Sequence, residues 1–186
     1  LGAFPRILAR WQAEQPNAAA EELVQNTLDC IHGVDVNPYA VAIARFRLLL
    51  IAMQACDRRT LAGAPEFRFH LACGDSLLHA PLRISATETQ QVFDWEKKVT
   101  DDECEHAYQS EDLAQLKQML RSASYHAVVA NPPYITPKDR QLNQRYRNRF
   151  DSCHMKYSLA VPFLERIFRM AVPGGYTGQI TANSFM

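Results

Sequence analysis

The sequence has no Cys-x-x-Cys pair, no excess of either charge, no signal peptide, no internal repeat and no initiator methionine. Each absence removes a class of protein. Five cysteines (Cys30, Cys56, Cys73, Cys104, Cys153) are an odd number without metal-ligand spacing. Neither a disulfide framework nor a zinc or other metal site is indicated, and a reducing cytoplasm is the expected location. Twenty Lys and Arg balance twenty Asp and Glu, so no overall basic field announces a nucleic-acid partner. No apolar run approaches the roughly 18 residues of a membrane span, and residues 1–10 lack signal-peptide architecture, so no membrane partner is expected. Leu1-Gly2-Ala3-Phe4 enters a helical pattern with neither Met nor cap, as a piece of a longer polypeptide would.

What is present is ordinary globular material: 186 residues, 47% hydrophobic and 22% charged, the length of one domain with a sizeable core. Short β-rich runs alternate with longer helical ones, the pattern of an α/β protein with a mostly parallel sheet and helices on both faces. Residues Phe4 to Gln15 read as the end of a helix, with Phe4, Ile7, Leu8 and Trp11 on one face. Leu28 to Val36 reads as a strand that stops at Asn37-Pro38, where Asn37 caps and Pro38 opens a helix running to about Cys56. Phe67 to Cys73 is a second strand closed by Gly74-Asp75, and Ala127 to Ala130 a third ending at Asn131. After a loop, Ser158 to Val172 is a helix stopped by Gly174-Gly175, and Tyr176 to Ala182 a fourth strand. A further helix is expected near Glu111 to Arg121.

The neutral total is a cancellation. Between Glu88 and Asp112 nine acidic residues face two lysines, whereas Ile135 to Lys156 holds six Lys/Arg against two Asp. The basic segment directly follows the third strand.

The strongest signal is Asn131-Pro132-Pro133-Tyr134 at the end of that strand. With 7 Asn, 10 Pro and 18 aromatic residues, Asn-Pro-Pro-aromatic should arise by chance in about one such sequence in 500, by independent draws from composition. Ligand chemistry in an open parallel sheet sits beyond the carboxyl ends of the strands, where this tetrapeptide lies. Its physics suits a planar amine. Such a nitrogen is a poor nucleophile because its lone pair is delocalised; two acceptors holding its hydrogens favour a more tetrahedral nitrogen in the transition state. Asn131 offers a side-chain carbonyl and Pro132 a main-chain carbonyl. Consecutive prolines stiffen the turn and remove its N–H donors. Tyr134 supplies a flat face on which a base can stack. The competing reading is a rigid Pro-Pro turn with a capping Asn and a packed Tyr.

Asn131 to Tyr134 resembles motif IV of the S-adenosylmethionine-dependent amino-methyltransferases, particularly the adenine-N6 DNA methyltransferases. His32-Gly33-Val34-Asp35-Val36-Asn37-Pro38-Tyr39 is similar to that family's second strand, and the resemblance implies that Asp35 holds the cofactor's ribose hydroxyls. Cys73-Gly74-Asp75-Ser76-Leu77 resembles the third-strand motif, implying that Asp75 accepts from the cofactor's adenine amine. Each aspartate also has a plain reading, as a helix cap for Asp35 and a strand-ending turn for Asp75. The resemblance covers nearly the whole chain, and the text around Asp35 looks most like large restriction-modification or BREX-type phage-defence enzymes.

The resemblance implies a Rossmann-like methyltransferase sandwich, truncated before the first strand and its glycine-rich loop and without a target-recognition region. Residues 1–186 are then a partial catalytic domain. The implied reaction moves a methyl group from S-adenosylmethionine to the exocyclic amine of an adenine flipped out of double-stranded DNA and stacked on Tyr134. Lys138, Arg140, Arg145 and Arg147 are candidates to meet phosphates, against the alternative of a solvated loop. Expected partners are DNA, the remainder of the parent polypeptide and other subunits of a defence system. The alternatives are methylation of another planar nitrogen, in protein glutamine or RNA guanine, and a non-catalytic nucleic-acid-binding fragment. Cys153-His154 suggests a metal or nucleophile, but no partner ligands stand at useful spacing.

Overall fold

The computed structural model describes residues 1–79 and 113–182. The acidic run between Glu88 and Asp112 lies outside them, as do Cys104 and Asn183 to Met186. The described chain divides into two compact units, one of residues 1–74 and 113–119, the other of residues 75–79 and 120–182.

In the first unit the elements are α1 (Ala3–Glu14), α2 (Ala20–Asp29), β1 (His32–Asp35), α3 (Pro38–Ala55), β2 (His70–Cys73) and α4 (Leu113–Met119). β1 and β2 pair in parallel, His32 opposite His70 and Asp35 opposite Cys73. The strand expected from Leu28 begins four residues later, at His32, because Leu28 and Asp29 belong to α2. There Leu23, Val24, Thr27 and Leu28 form one buried face, and Glu21 and Glu22 complement the positive end of the helix dipole. Helical spacing therefore outweighs the strand-like character of Leu28. β2 likewise begins three residues later than expected.

Helix α3 starts as its sequence indicates: the Asn37 side chain accepts from the Tyr39 N–H at 2.9 Å, and Pro38 occupies the first turn. Its 18 residues correct one expectation, since α3 is long and apolar enough to cross a membrane by length and composition alone. It nevertheless buries Val41, Leu48, Ala52 and Met53. Phe4, Val24 and Leu28 from α1 and α2 join it with Leu71 and Cys73 in one core. Each such side chain contributes about 1.5–3 kcal/mol on burial.

The second unit holds β3 (Tyr125–Ala130), α5 (Arg140–Arg149), α6 (Ala160–Met170) and β4 (Ala171–Gln179), with β3 and β4 again parallel. Two expectations change here. The basic segment is not all loop: α5 is capped by Asp139, whose Oδ1 accepts from the Gln141 and Leu142 N–H groups at 2.7 and 3.0 Å. Pro173-Gly174-Gly175 does not terminate the helix either. Helix α6 ends at Met170 and the strand begins at Ala171, five residues before the expected Tyr176. The glycines form a bulge inside β4, where Tyr125 pairs with Ala171 but Ala127 with Tyr176. Gly174 sits at φ +78°, and a Cβ on Gly175 would lie 2.9 Å from the Val172 carbonyl oxygen. The architecture is thus mixed α/β with parallel strand pairs.

Candidate active site

Strand β3 delivers Asn131 directly beyond its carboxyl end. The last ladder bond runs from the Ile180 N–H to the Ala130 carbonyl at 3.1 Å, and the Leu159 N–H donates to the Ile135 carbonyl at 2.9 Å. The motif is therefore held at both ends by backbone bonds. Between them two prolines fix φ and offer no donors. Pro132 is buried, whereas Asn131 and Pro133 are exposed and Tyr134 keeps 46% of its surface in solvent. Burial of the first proline anchors the turn and leaves the Asn amide and the Tyr ring facing outward.

Tyr134 forms one wall of a cavity of about 490 Å³ whose lining includes Ser152, His154, Lys156, Ser158 and Val161. The loop that carries these polar groups is held by Arg147. Its Nε donates to Asn143 Oδ1 at 2.8 Å, its other nitrogens donate to the carbonyls of Cys153 (2.9 Å) and Met155, and its guanidinium lies 5.3 Å from the Tyr157 ring centre. All three nitrogens of Arg147 are thus engaged within the chain. Ser152 donates from its N–H and its hydroxyl to Glu165 Oε2, at 3.0 and 2.6 Å. Burial, with the neighbouring Cys153 thiol, pushes the Tyr157 phenol up to about 12. Cys153 itself is buried, and that burial raises its thiol, the opposite of what activates a cysteine nucleophile.

Asp75 sits in the turn after β2. Its Oδ1 accepts from the N–H groups of Leu77 and Leu78 at 2.7 and 3.1 Å, and its Oδ2 accepts from the Tyr146 hydroxyl at 3.2 Å. Burial, reinforced by this carboxylate, raises the Tyr146 phenol well above its ordinary value, so Tyr146 remains a donor. The turn role and a ligand role are compatible, because each carboxylate oxygen has two lone pairs. Tyr146 belongs to a core with Leu77, Phe150, Cys153, Tyr157 and Leu159; of these the sequence offers only Cys153 as a candidate for chemistry. The spacing of Leu142, Tyr146 and Phe150 on one helical face was the available signal.

Asp35 belongs to the first unit. It ends β1, is exposed, and accepts the Asn37 N–H on Oδ1 at 2.7 Å, which fixes the carboxylate at the strand end. Of the basic candidates, Lys138 and Arg140 are exposed at the start of α5 and Arg145 is half-buried within it.

Comparison with known proteins gives these positions a family. Adenine-specific methyltransferase PglX of Streptomyces coelicolor is 45% identical over 196 residues, a match that spans all of this chain and 16% of that protein. No solved structure matches the chain. The Eco57I restriction-modification methylase profile matches residues 29–186, which include β1, the Asp75 turn and the Asn131 motif, and the chain belongs to that family.

Proposed function

We propose that this chain is part of the catalytic domain of a DNA adenine-N6 methyltransferase, built on a Rossmann-like sandwich, and that residues 1–186 are one segment of a larger polypeptide. The observation that carries the reading is the Asn131-Pro132-Pro133-Tyr134 turn, pinned at both ends beyond a parallel strand. The family match and the name of the PglX relative support it.

The Asn131 side-chain carbonyl and the Pro132 carbonyl accept from the two hydrogens of the adenine amine, drawing its nitrogen toward a tetrahedral geometry. Tyr134 stacks on the extruded base, a contact of about 1–3 kcal/mol. S-adenosylmethionine, when bound, supplies the electrophilic methyl group. The donor set fits such a cofactor: Asp35 is an acceptor-only carboxylate, exposed and fixed at a strand end, suited to a ribose diol. Asp75, held by its turn, would accept from the cofactor's adenine amine. Orientation does most of the work, and no strong general base is needed. Lys138, Arg140 and Arg145 are the residues assigned to phosphates; Arg147 is assigned to holding the loop. Double-stranded DNA is the substrate, with a defence role in the cytoplasm.

In the full-length polypeptide, Asn131→Ala should abolish methyl transfer into DNA while cofactor affinity stays within about twofold, since only the transition-state contact is removed. Retained turnover would overturn the role of Asn131. Label appearing in protein or RNA but not in DNA would overturn the substrate.

A further inference from the structure

The loop between α5 and α6 carries a feature that neither its packing nor the motif explains. Met155 stands at φ +46°, in the left-handed region that a methionine rarely occupies, and is 88% exposed. A strained backbone persists only where its surroundings over-determine it. Here they do. Arg147 holds the carbonyls on Cys153 and Met155, Glu165 holds Ser152, and the Tyr157 hydroxyl donates to Asn143 Oδ1 at 3.3 Å. The effect of all these contacts is to present one long apolar side chain to solvent on a fixed support. Its chain neighbours on either side are His154 and Lys156, both lining the cavity that Tyr134 bounds.

An apolar tip flanked by two basic side chains matches a duplex better than a protein surface. Proteins that part base steps use apolar wedges, methionine among them, and its unbranched thioether adapts to an irregular gap. We propose that Met155 is a wedge that enters the duplex beside the target nucleotide and holds the extruded base out of the stack, while His154 and Lys156 meet the flanking phosphates. The inference rests on the DNA-methylation reading above and assigns the extrusion step within it. Met155 is a positioning residue, acting on the DNA stack rather than on the reacting atoms.

The test uses the full-length polypeptide with Met155→Gly and Met155→Leu. Glycine adopts φ +46° without strain, so the first variant removes the side chain and keeps the loop. Methyl transfer in a single turnover is measured on a duplex with a paired target adenine and on one whose target lies opposite an abasic site, which lowers the work of extrusion. Fluorescence of 2-aminopurine at the target position reports extrusion directly. Met155→Gly should slow transfer to the paired duplex by about tenfold or more and dim the 2-aminopurine signal. The abasic duplex should be methylated within about threefold of the wild-type rate, and Met155→Leu should restore the paired duplex. Equal losses on both duplexes, or no loss on either, would overturn the wedge. A wild-type protein that methylates neither duplex would overturn the DNA-methylation reading itself, and the wedge with it.

Discussion

Arg147 separates two uses of a basic residue, and its replacement by Met measures which one holds. Its guanidinium makes two charge-assisted bonds to loop carbonyls, one bond to Asn143 and a stacked contact with Tyr157. Bonds from a charged donor contribute about 1.5–3 kcal/mol each, and an accessible cation–π contact about 0.5–1 kcal/mol. Arg147 is only half-buried and its contacts share one group, so they do not add; a total of about 2–3 kcal/mol is expected from Arg147→Met. The cost falls on the loop. The amides to follow are those of Cys153 and His154, which donate to the carbonyls of Phe150 and Ser152. At 1.4 kcal/mol per tenfold, their hydrogen exchange should quicken by roughly thirty- to hundredfold. Arg147→Lys should recover less than half of this, since one ammonium cannot span two carbonyls and the ring as a planar fork does. Exchange within about threefold of wild type, together with a DNA salt slope reduced by about one, would show that Arg147 faces a phosphate and refute its role as a clamp.

Two further outcomes follow from particular atoms. Gly175→Ala places a Cβ against three backbone oxygens at 2.9–3.2 Å, whereas Gly178→Ala meets only Val129 Cγ1 at 3.6 Å. Unfolding should therefore become easier by about 1–3 kcal/mol for the first and stay within about 0.5 kcal/mol for the second; equal midpoints in urea would show that the bulge relaxes. The second outcome concerns pH. His32 is exposed, yet partial desolvation of its ring, and the like charge of His70 stacked 4.8 Å away, lower its imidazole from the ordinary 6.5. The unfolded chain then binds a proton that the folded chain refuses. Its contribution is complete above about pH 6.5 and is lost as the pH falls from there through the lowered folded value. His32→Gln should flatten the decline in stability between about pH 7 and 5, read from denaturant midpoints, and an unchanged slope would refute the assignment.

How far the fold was legible depended on whether one local signal dominated. At Asn37-Pro38 a cap and a first-turn proline agree, and α3 begins there. At Leu28 two signals compete: the residue suits a strand, but the buried face of Leu23, Val24, Thr27 and Leu28 is helical, and tertiary burial decides for α2. Helix α5 was hidden by its own composition, because eight of its ten residues are Arg, Gln or Asn and only Leu142 and Tyr146 within it mark the apolar face that Phe150 continues. Gly174-Gly175 misled for a different reason. A glycine pair is the same in sequence whether it ends a helix or makes a bulge; only the Tyr125 and His126 carbonyls of the partner strand distinguish the two.

The site divides along the same line. The Asn131 to Tyr134 turn was legible because two consecutive prolines at a strand end fix its backbone, and the role we propose for it needs only these four consecutive residues. The supporting residues are not consecutive. Arg147 reaches eight residues ahead to Met155, Glu165 reaches back thirteen to Ser152, and Tyr146 reaches Asp75 from 71 residues away. Sequence could mark Arg147 as basic but not show that its charge is spent on the loop, since an arginine bound to carbonyls and one bound to phosphates have the same neighbours in the chain. Met155 lies one step further off. Its significance comes from a backbone angle and an exposure, two quantities that exist only once the loop has closed, and both acquire their meaning from the turn that the sequence did reveal.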